Sequence, residues 1–207
     1  MAGFDTAMGG PLLNLQRFLA IWFPGMVVGE RDAAKVYPLG GILLDLLQET
    51  GYFHLQSTKP DTAGAALLDS PIGLAAWILE KFSTWTNKAH RDLGDGGLTK
   101  KFSLEDLLTN VMIYWSTGCI VTSQRFYKEA WLEPQMAAFN MNPVKVPSAV
   151  SQCEHELALA PEAFVRHAHL DLRHYADLMD CGHFAAFEAP KQLAADIRQF
   201  VRKVIQP

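Results

Sequence analysis

The sequence predicts an α/β chain in which a long helical region precedes a short β-α-β-α tail. Helical periodicity dominates from Pro11 to about Glu129, and two extended segments alternate with two helical ones after residue 142. Two strands are too few for a complete sheet. We therefore expect the C-terminal portion of a larger α/β core, with residues 1–142 as a mostly helical lid and residues 143–207 as the core strands and helix.

Three helices are predicted within the helical region from their capping residues and apolar spacing. The first extends from about Glu30 to Gln48, with Gly51 as its stop signal. The second begins at Pro71 after a Ser70 cap, and the third opens with a capping box at residues 103–106. The apolar positions of the three helices are Val36, Leu43, Leu44 and Leu47; Leu74, Trp77, Ile78, Phe82 and Trp85; and Leu107, Leu108, Val111, Met112 and Trp115.

The tail contains two predicted strands, at residues 144–150 and 172–179. Pro147 argues against a central position for the first strand, because proline cannot donate to a ladder. A helical segment at residues 161–165 separates the strands, and a helix from Pro190 to about Ile205 closes the chain. The apolar stripe of this last helix comprises Leu193, Ile197, Phe200, Val201 and Val204.

Composition excludes several function classes. The 207 residues are 49% apolar and carry a net charge of −4 without a basic run, so no nucleic-acid partner is expected. No apolar run reaches 18 residues, which predicts no membrane-spanning segment, and the first ten residues lack the pattern of a signal peptide. Cys119, Cys153 and Cys181 are odd in number and widely spaced, which fits no disulfide framework and predicts either a reducing compartment or unpaired buried thiols.

One histidine stands where a catalytic base would be placed. His183 follows Gly182 in a predicted turn between a strand and a helix, and Glu156 follows the preceding strand. An acid after a late strand and a histidine after the last strand is the order found in α/β-hydrolases. The carboxylate would orient the imidazole, whose other nitrogen could then act on water. The sequence contains no Gly-x-Ser-x-Gly or Gly-x-Asp-x-Gly elbow, so the chain alone is expected to lack the nucleophile.

A metal site is a competing hypothesis for this region. Its possible ligands are Cys153, His155, Glu156, His167 and His169, but they match no established zinc-binding spacing. We therefore expect no metal and no cofactor.

Seven ordered blocks of sequence resemble the microsomal-type epoxide hydrolases. The resemblance extends from about Glu30 to the C-terminus and covers the lid and the last two core strands of that α/β-hydrolase family. The blocks are GYFHLQ (residues 51–56), TKPDT (58–62), SPIGLAA (70–76), EKFSTWTN (80–87), FSLEDLLTN (102–110), SQRFYKE (123–129) and GHFAAFE (182–188).

The resemblance implies a two-step hydrolysis of lipophilic epoxides to vicinal diols. An aspartate opens the epoxide while two lid tyrosines, matched here by Tyr52 and Tyr127, donate to the developing alkoxide. Water activated by the pair matched by Glu156 and His183 then hydrolyses the alkyl-enzyme ester. Neighbouring Glu154 is an alternative acid, and Cys181 stands where the family more often has glycine.

Two functional interpretations follow from the resemblance. In the first, the chain is the lid and C-terminal part of an active epoxide hydrolase whose nucleophile is encoded elsewhere. In the second, it is a nucleophile-free product that binds apolar ligands or a complementary chain. We expect pairing with an N-terminal half or self-association. Full-length relatives are often associated with the endoplasmic reticulum membrane, whereas this chain, without an anchor, is expected in the cytoplasm.

Overall fold

A computed structural model describes residues 11–133 and 142–205 of the chain. Contacts group Gln48–Glu133 into one compact unit, here the helical unit, and Met1–Leu47 with Pro134–Pro207 into another, here the strand unit. The sequence predicted a different division, into a lid and a core between residues 142 and 143. That division stays a prediction.

The N-terminal part of the strand unit is helical. It contains α1 (Pro11–Trp22), α2 (Pro24–Val28), α3 (Glu30–Ala33) and the first part of α4 (Leu39–Glu49), which ends in the helical unit. The single helix predicted from Glu30 to Gln48 is therefore wrong. Pro38 explains the interruption, because its ring removes an N–H and disfavours a helical conformation at the preceding residue.

Most of the apolar side chains predicted to share one side of this segment are exposed to solvent. Leu43, Leu44 and Leu47 are 55%, 55% and 76% exposed, so α4 does not bury them. Gly51 is the first residue of the next helix instead of a stop signal.

The helical unit continues with α5 (Gly51–Thr58), α6 (Pro60–Asp69), α7 (Pro71–Thr84), a 3₁₀ turn (Lys88–His90), α8 (Leu98–Lys101), α9 (Leu104–Thr117) and α10 (Ile120–Leu132). Both predicted caps are confirmed. The Ser70 hydroxyl accepts from the Gly73 N–H at 3.0 Å, and the Ser103 hydroxyl accepts from the Asp106 N–H at 3.1 Å. The apolar sides of α7 and α9 share a core with α6 and α10, built from Leu67, Leu74, Val111 and Ile120.

The tail of the strand unit is a parallel β-α-β arrangement followed by helices. It consists of β1 (Ser148–Cys153), α11 (Glu162–Ala168), β2 (Leu172–Leu178), α12 (Ala185–Glu188) and α13 (Pro190–Ile205). The second strand and the closing helix are confirmed. The first strand begins after Pro147, later than predicted, and Val144 makes only an isolated bridge to His169.

A buried polar network holds α13 against the two strands. Asp196 accepts from the His174 ring nitrogen Nε2 at 2.5 Å and from the Ser151 hydroxyl at 2.5 Å. Lys203 Nζ donates to His174 Nδ1 at 2.8 Å. Asp196 is 5% exposed, and a buried carboxylate is costly unless it is hydrogen-bonded. The hydrogen bonds from Ser151 on β1 and His174 on β2 compensate that cost. This network attaches α13 by directional contacts in addition to the packing of Leu193 beside Cys153, Leu178 and Cys181.

The cysteine prediction is wrong for two of the three residues. Cys153 and Cys181 form a disulfide that links the end of β1 to the turn after β2, with their Cα atoms 5.3 Å apart. The odd number of cysteines misled the prediction, because two of the three pair and Cys119 remains as a free thiol. Both bonded cysteines are buried beside Leu178.

Within residues 11–133 and 142–205, no individual helix combines the length and hydropathy of a membrane span. The consecutive helices α6 and α7 meet those criteria only when taken together, and they are bent by 120° at their junction.

We predict that the isolated chain associates in solution. In the described part of the chain β1 has β2 as its only sheet neighbour, and Ile197 and Val201 on α13 are 51% and 42% exposed. An open strand edge beside an apolar helix face favours association. Light scattering at micromolar concentration should show oligomers, and Ile197→Lys should reduce their mass. Gln199→Lys, at an exposed polar position of the same helix, is the control and should leave it unchanged; a monodisperse wild-type monomer would contradict the prediction.

Candidate active site

The turn after β2 carries His183 to the end of the strand pair. The parallel register sets Cys153 opposite Leu178, so both strands end at the same edge. Glu156 lies three residues beyond the end of β1, and His183 lies five residues beyond the end of β2. Two short connections at one edge of a parallel pair thereby bring an acid and a base together.

Glu156 and His183 form the predicted pair. His183 Nδ1 lies 2.9 Å from Glu156 Oε1, and the same oxygen accepts from the Leu157 N–H at 2.8 Å. The Glu156 side chain is 19% exposed and the His183 side chain is 32% exposed. With Nδ1–H donating to the carboxylate, Nε2 is the nitrogen that remains to accept a proton from water.

Burial has the largest single influence on the pKa of Glu156 and raises it. The hydrogen bond from His183, the charge of that ring when protonated and the hydrogen bond from the Leu157 N–H act in the other direction, and the pKa is lowered below its ordinary value. The acid is thus held as a carboxylate, the form that can accept from the imidazole N–H.

Glu154, the alternative acid, occupies a different position. Its Oε2 accepts from the backbone N–H of Asp180 at 2.9 Å, and the Glu154 N–H donates to the Leu178 carbonyl at 2.9 Å. Glu154 therefore binds the backbone of the turn, whereas Glu156 contacts the imidazole. An extended strand would place these two glutamates, two residues apart, on the same side, but the chain turns at residues 154 and 155 and their side chains have different partners.

Tyr52 and Tyr127 are neighbours in the helical unit. Tyr52 is near the start of α5 and Tyr127 is on α10, and their ring centroids are 5.9 Å apart at an interplanar angle of 84°. Phe53 packs edge-on against Tyr127 at 6.1 Å and against Trp131 at 5.1 Å. The structure thus brings together two phenols whose positions differ by 75 residues in the printed sequence, within an aromatic cluster that limits their ring rotation.

Three residues that support Tyr52 were not assigned a role from the sequence. Lys81 Nζ lies 4.6 Å from the Tyr52 ring centroid, and the Trp85 ring lies 4.9 Å from it. Glu49 accepts from the Trp85 indole N–H at 3.1 Å and from Arg91 at 2.7 Å. Lys81 and Trp85 fall within one of the seven blocks, but the sequence does not show that Lys81 on α7 and Trp85 immediately after α7 both lie against Tyr52.

Tyr52 also lines an open cavity of about 710 Å³ in the helical unit. Gly51, Ala76 and Leu79 supply small and apolar surface, whereas Glu49, Lys81 and Arg91 supply charge. The cavity is large enough for a drug-sized ligand.

The competing metal ligands do not converge in the described ranges. Cys153 is in the disulfide, Glu156 contacts His183, and His169 Nδ1 contacts the Ser148 hydroxyl at 3.2 Å. Among residues 11–133 and 142–205, no three His, Cys, Asp or Glu side chains are grouped to hold an ion.

We predict that Glu156→Gln reduces the acid sensitivity of folding. The folded-state pKa of Glu156 lies below its ordinary value of 4.5, so its stabilising contribution is complete above that pH and is lost as the pH falls through the lowered pKa. Denaturant unfolding across this window should show a steeper loss of unfolding free energy in the wild type than in the variant. Glu30→Gln, at an exposed glutamate of the same unit, should retain the wild-type slope; equal slopes for Glu156→Gln and the wild type would contradict the prediction.

The chain is similar to proteins named epoxide hydrolases. It is 51% identical over 173 residues to epoxide hydrolase 1 of Sus scrofa, a match covering 83% of this chain and 38% of that protein. It is 44% identical over 195 residues to juvenile hormone epoxide hydrolase 1 of Ctenocephalides felis, covering 93% of this chain and 42% of that protein. The chain thus spans about two fifths of the length of these relatives.

Structural similarity agrees with the sequence. The crystal structure of juvenile hormone epoxide hydrolase from the silkworm Bombyx mori superposes with a TM-score of 0.89 at 40% identity, over 95% of this chain and 47% of that one. No protein-family profile matches the chain. Identities of 44–51% to these relatives over 83–93% of the chain, with this structural match, show that the chain belongs to the epoxide hydrolase family of the α/β-hydrolase fold.

Proposed function

We propose that this chain supplies the acid, the base and the alkoxide-binding tyrosines for the hydrolysis of lipophilic epoxides to vicinal diols. The observation that carries the proposal is the 2.9 Å contact between His183 Nδ1 and Glu156 Oε1, beside the strand ends. Relatives named epoxide hydrolases support the reaction class. The nucleophilic carboxylate comes from a separate segment or polypeptide, because the 207 residues contain no glycine-flanked elbow.

Ring opening is the step assigned to the tyrosines. When a carboxylate attacks an epoxide carbon, the C–O bond breaks and negative charge develops on the oxygen. The phenols of Tyr52 and Tyr127 donate to that oxygen and stabilise it without adding a permanent charge. The contact between their rings, 5.9 Å apart, supports a shared role for the two phenols.

Ester hydrolysis is the step assigned to Glu156 and His183. His183 Nε2 removes a proton from water as the water oxygen attacks the ester carbonyl carbon. The Glu156 carboxylate keeps Nδ1 protonated and stabilises the imidazolium that forms. Release of the diol regenerates the nucleophilic carboxylate, and the proton on His183 returns to solvent or to the leaving alkoxide.

We predict that His183→Gln separates the two steps. When the chain is co-expressed with a polypeptide carrying a Gly-x-Asp-x-Gly elbow, styrene oxide should alkylate the nucleophile but the ester should persist. Intact-mass spectrometry should then show an adduct on the elbow polypeptide that the wild-type pair clears. Loss of general-base assistance of this kind costs about 10²–10⁴ in rate.

Two controls accompany this experiment. The chain without the elbow polypeptide should form no diol above the buffer background, because it lacks the nucleophile. His167→Gln, a change at a histidine of α11 that is not assigned to the pair, should clear the adduct normally. Fast ring opening by the wild-type pair with no adduct in His183→Gln would contradict the assignment of His183 to ester hydrolysis.

We predict that Tyr52→Phe and Tyr127→Phe impair the first step only. Each change removes one donor while preserving the ring contacts, so adduct formation in single-turnover mixing should slow by roughly tenfold or more. The decay of preformed adduct should match the wild type. Tyr37→Phe, at an exposed tyrosine of the strand unit, is the matched control. Slower adduct decay with unchanged formation would reverse the proposed roles.

A further inference from the structure

The turn that carries His183 is held by two carboxylates, Glu154 and Glu188, and the sequence assigned no role to Glu188. Asp180 has a φ of 53°, a left-handed conformation that is unfavourable for a residue with a side chain. Its N–H donates to Glu154 Oε2 at 2.9 Å. Such a conformation persists when surrounding contacts determine it. The first part of the turn is therefore anchored to the connection that follows β1.

Glu188 binds the backbone on both sides of His183. Its Oε2 accepts from the Gly182 N–H at 2.7 Å, and its Oε1 accepts from the Phe184 N–H at 2.9 Å. Both are short hydrogen bonds to an ionised acceptor, which is the stronger class. One carboxylate thus brackets the peptide units before and after the histidine.

We propose that Glu188 is a positioning residue for His183: by holding the Gly182 and Phe184 N–H groups, it directs the imidazole at Glu156. This inference rests on the proposed function, in which His183 is the base. A hydrogen bond weakens steeply once the distance or angle departs from its optimum, and small displacements of a catalytic group have large effects on rate. The 2.9 Å contact between Nδ1 and Glu156 thus depends on where the turn places the histidine Cα.

A purely structural role for Glu188 is the alternative. Glu188 ends a helix of four residues and reaches back to its N-terminus, as a capping side chain does. The attachment of α13, however, does not need this carboxylate, because Asp196 binds His174 and Ser151 directly. A change at Glu188 should therefore alter the turn locally and leave the docking of the closing helix intact.

The test measures the His183 ring in the full chain by nuclear magnetic resonance. In the wild type, the Nδ1 proton should give a downfield signal that exchanges slowly with water. In Glu188→Gln, which replaces one acceptor oxygen by an NH₂ group of similar size, exchange should be about tenfold faster, the factor expected for one ordinary hydrogen bond. Glu188→Ala should have at least the same effect. His183→Gln assigns the signal.

Glu30→Gln is the matched control, since it removes one exposed glutamate charge from the same unit and should leave the signal unchanged. An unchanged Nδ1 signal in Glu188→Gln, with the variant folded by circular dichroism, would overturn the inference. A second measurement needs no variant: the Gly182 and Phe184 amides of the wild type should be protected from hydrogen exchange. Unprotected amides would equally overturn it.

These outcomes are separable from the proposed function. The Nδ1 proton and the two amides report the position of His183 without any epoxide. If the Glu188 variants loosen the ring but no ester forms with the elbow polypeptide, the positioning role stands and the proposed reaction fails. If the ester chemistry proceeds as proposed while the His183 Nδ1 signal is unchanged in Glu188→Gln, only the positioning role fails.

Discussion

Parallel pairing of β1 with β2 is the constraint on which the rest of the strand unit depends. Because Cys153 lies opposite Leu178, the two strands end together, and the connections that follow carry the acid and the base to one edge. A shift of register by one residue would reverse the faces of a strand and separate Glu156 from His183. Sheet geometry, rather than any local signal, thus creates the 2.9 Å contact.

Polar contacts around this edge make the arrangement specific. The Cys153–Cys181 disulfide, the hydrogen bond of Glu154 to the Asp180 N–H, and the two hydrogen bonds of Glu188 all bind the turn that carries His183. The hydrogen bonds pair backbone N–H groups that a turn would otherwise leave to water, and the disulfide limits the movement of the turn. Loops are generally more mobile than strands and helices. Here directional bonds hold the loop that carries His183 to the neighbouring elements.

In the helical unit, packing between helices sets the relative orientation of two tyrosine rings. Helices α5 and α10 bring Tyr52 to Tyr127. Lys81 on α7 lies over the Tyr52 ring, and Trp85, the residue after α7, packs against the same ring in a T-shaped contact. Glu49 fixes the Trp85 indole in turn. Aromatic rings packed in such a cluster have few orientations open to them, so the two phenols are pre-organised relative to each other.

The sequence by itself determined the elements whose signals are local. The Ser70 and Ser103 caps, the second strand, the closing helix and the histidine turn all follow from side chains within a few residues of one another. The family was recognisable from seven such blocks. Only the tertiary structure decided that Glu156 rather than Glu154 contacts His183, that Cys153 pairs with Cys181, and that Leu43, Leu44 and Leu47 stay exposed. The physical reason is that these outcomes depend on contacts between residues distant in the chain, which the register of two strands and the break at Pro38 set.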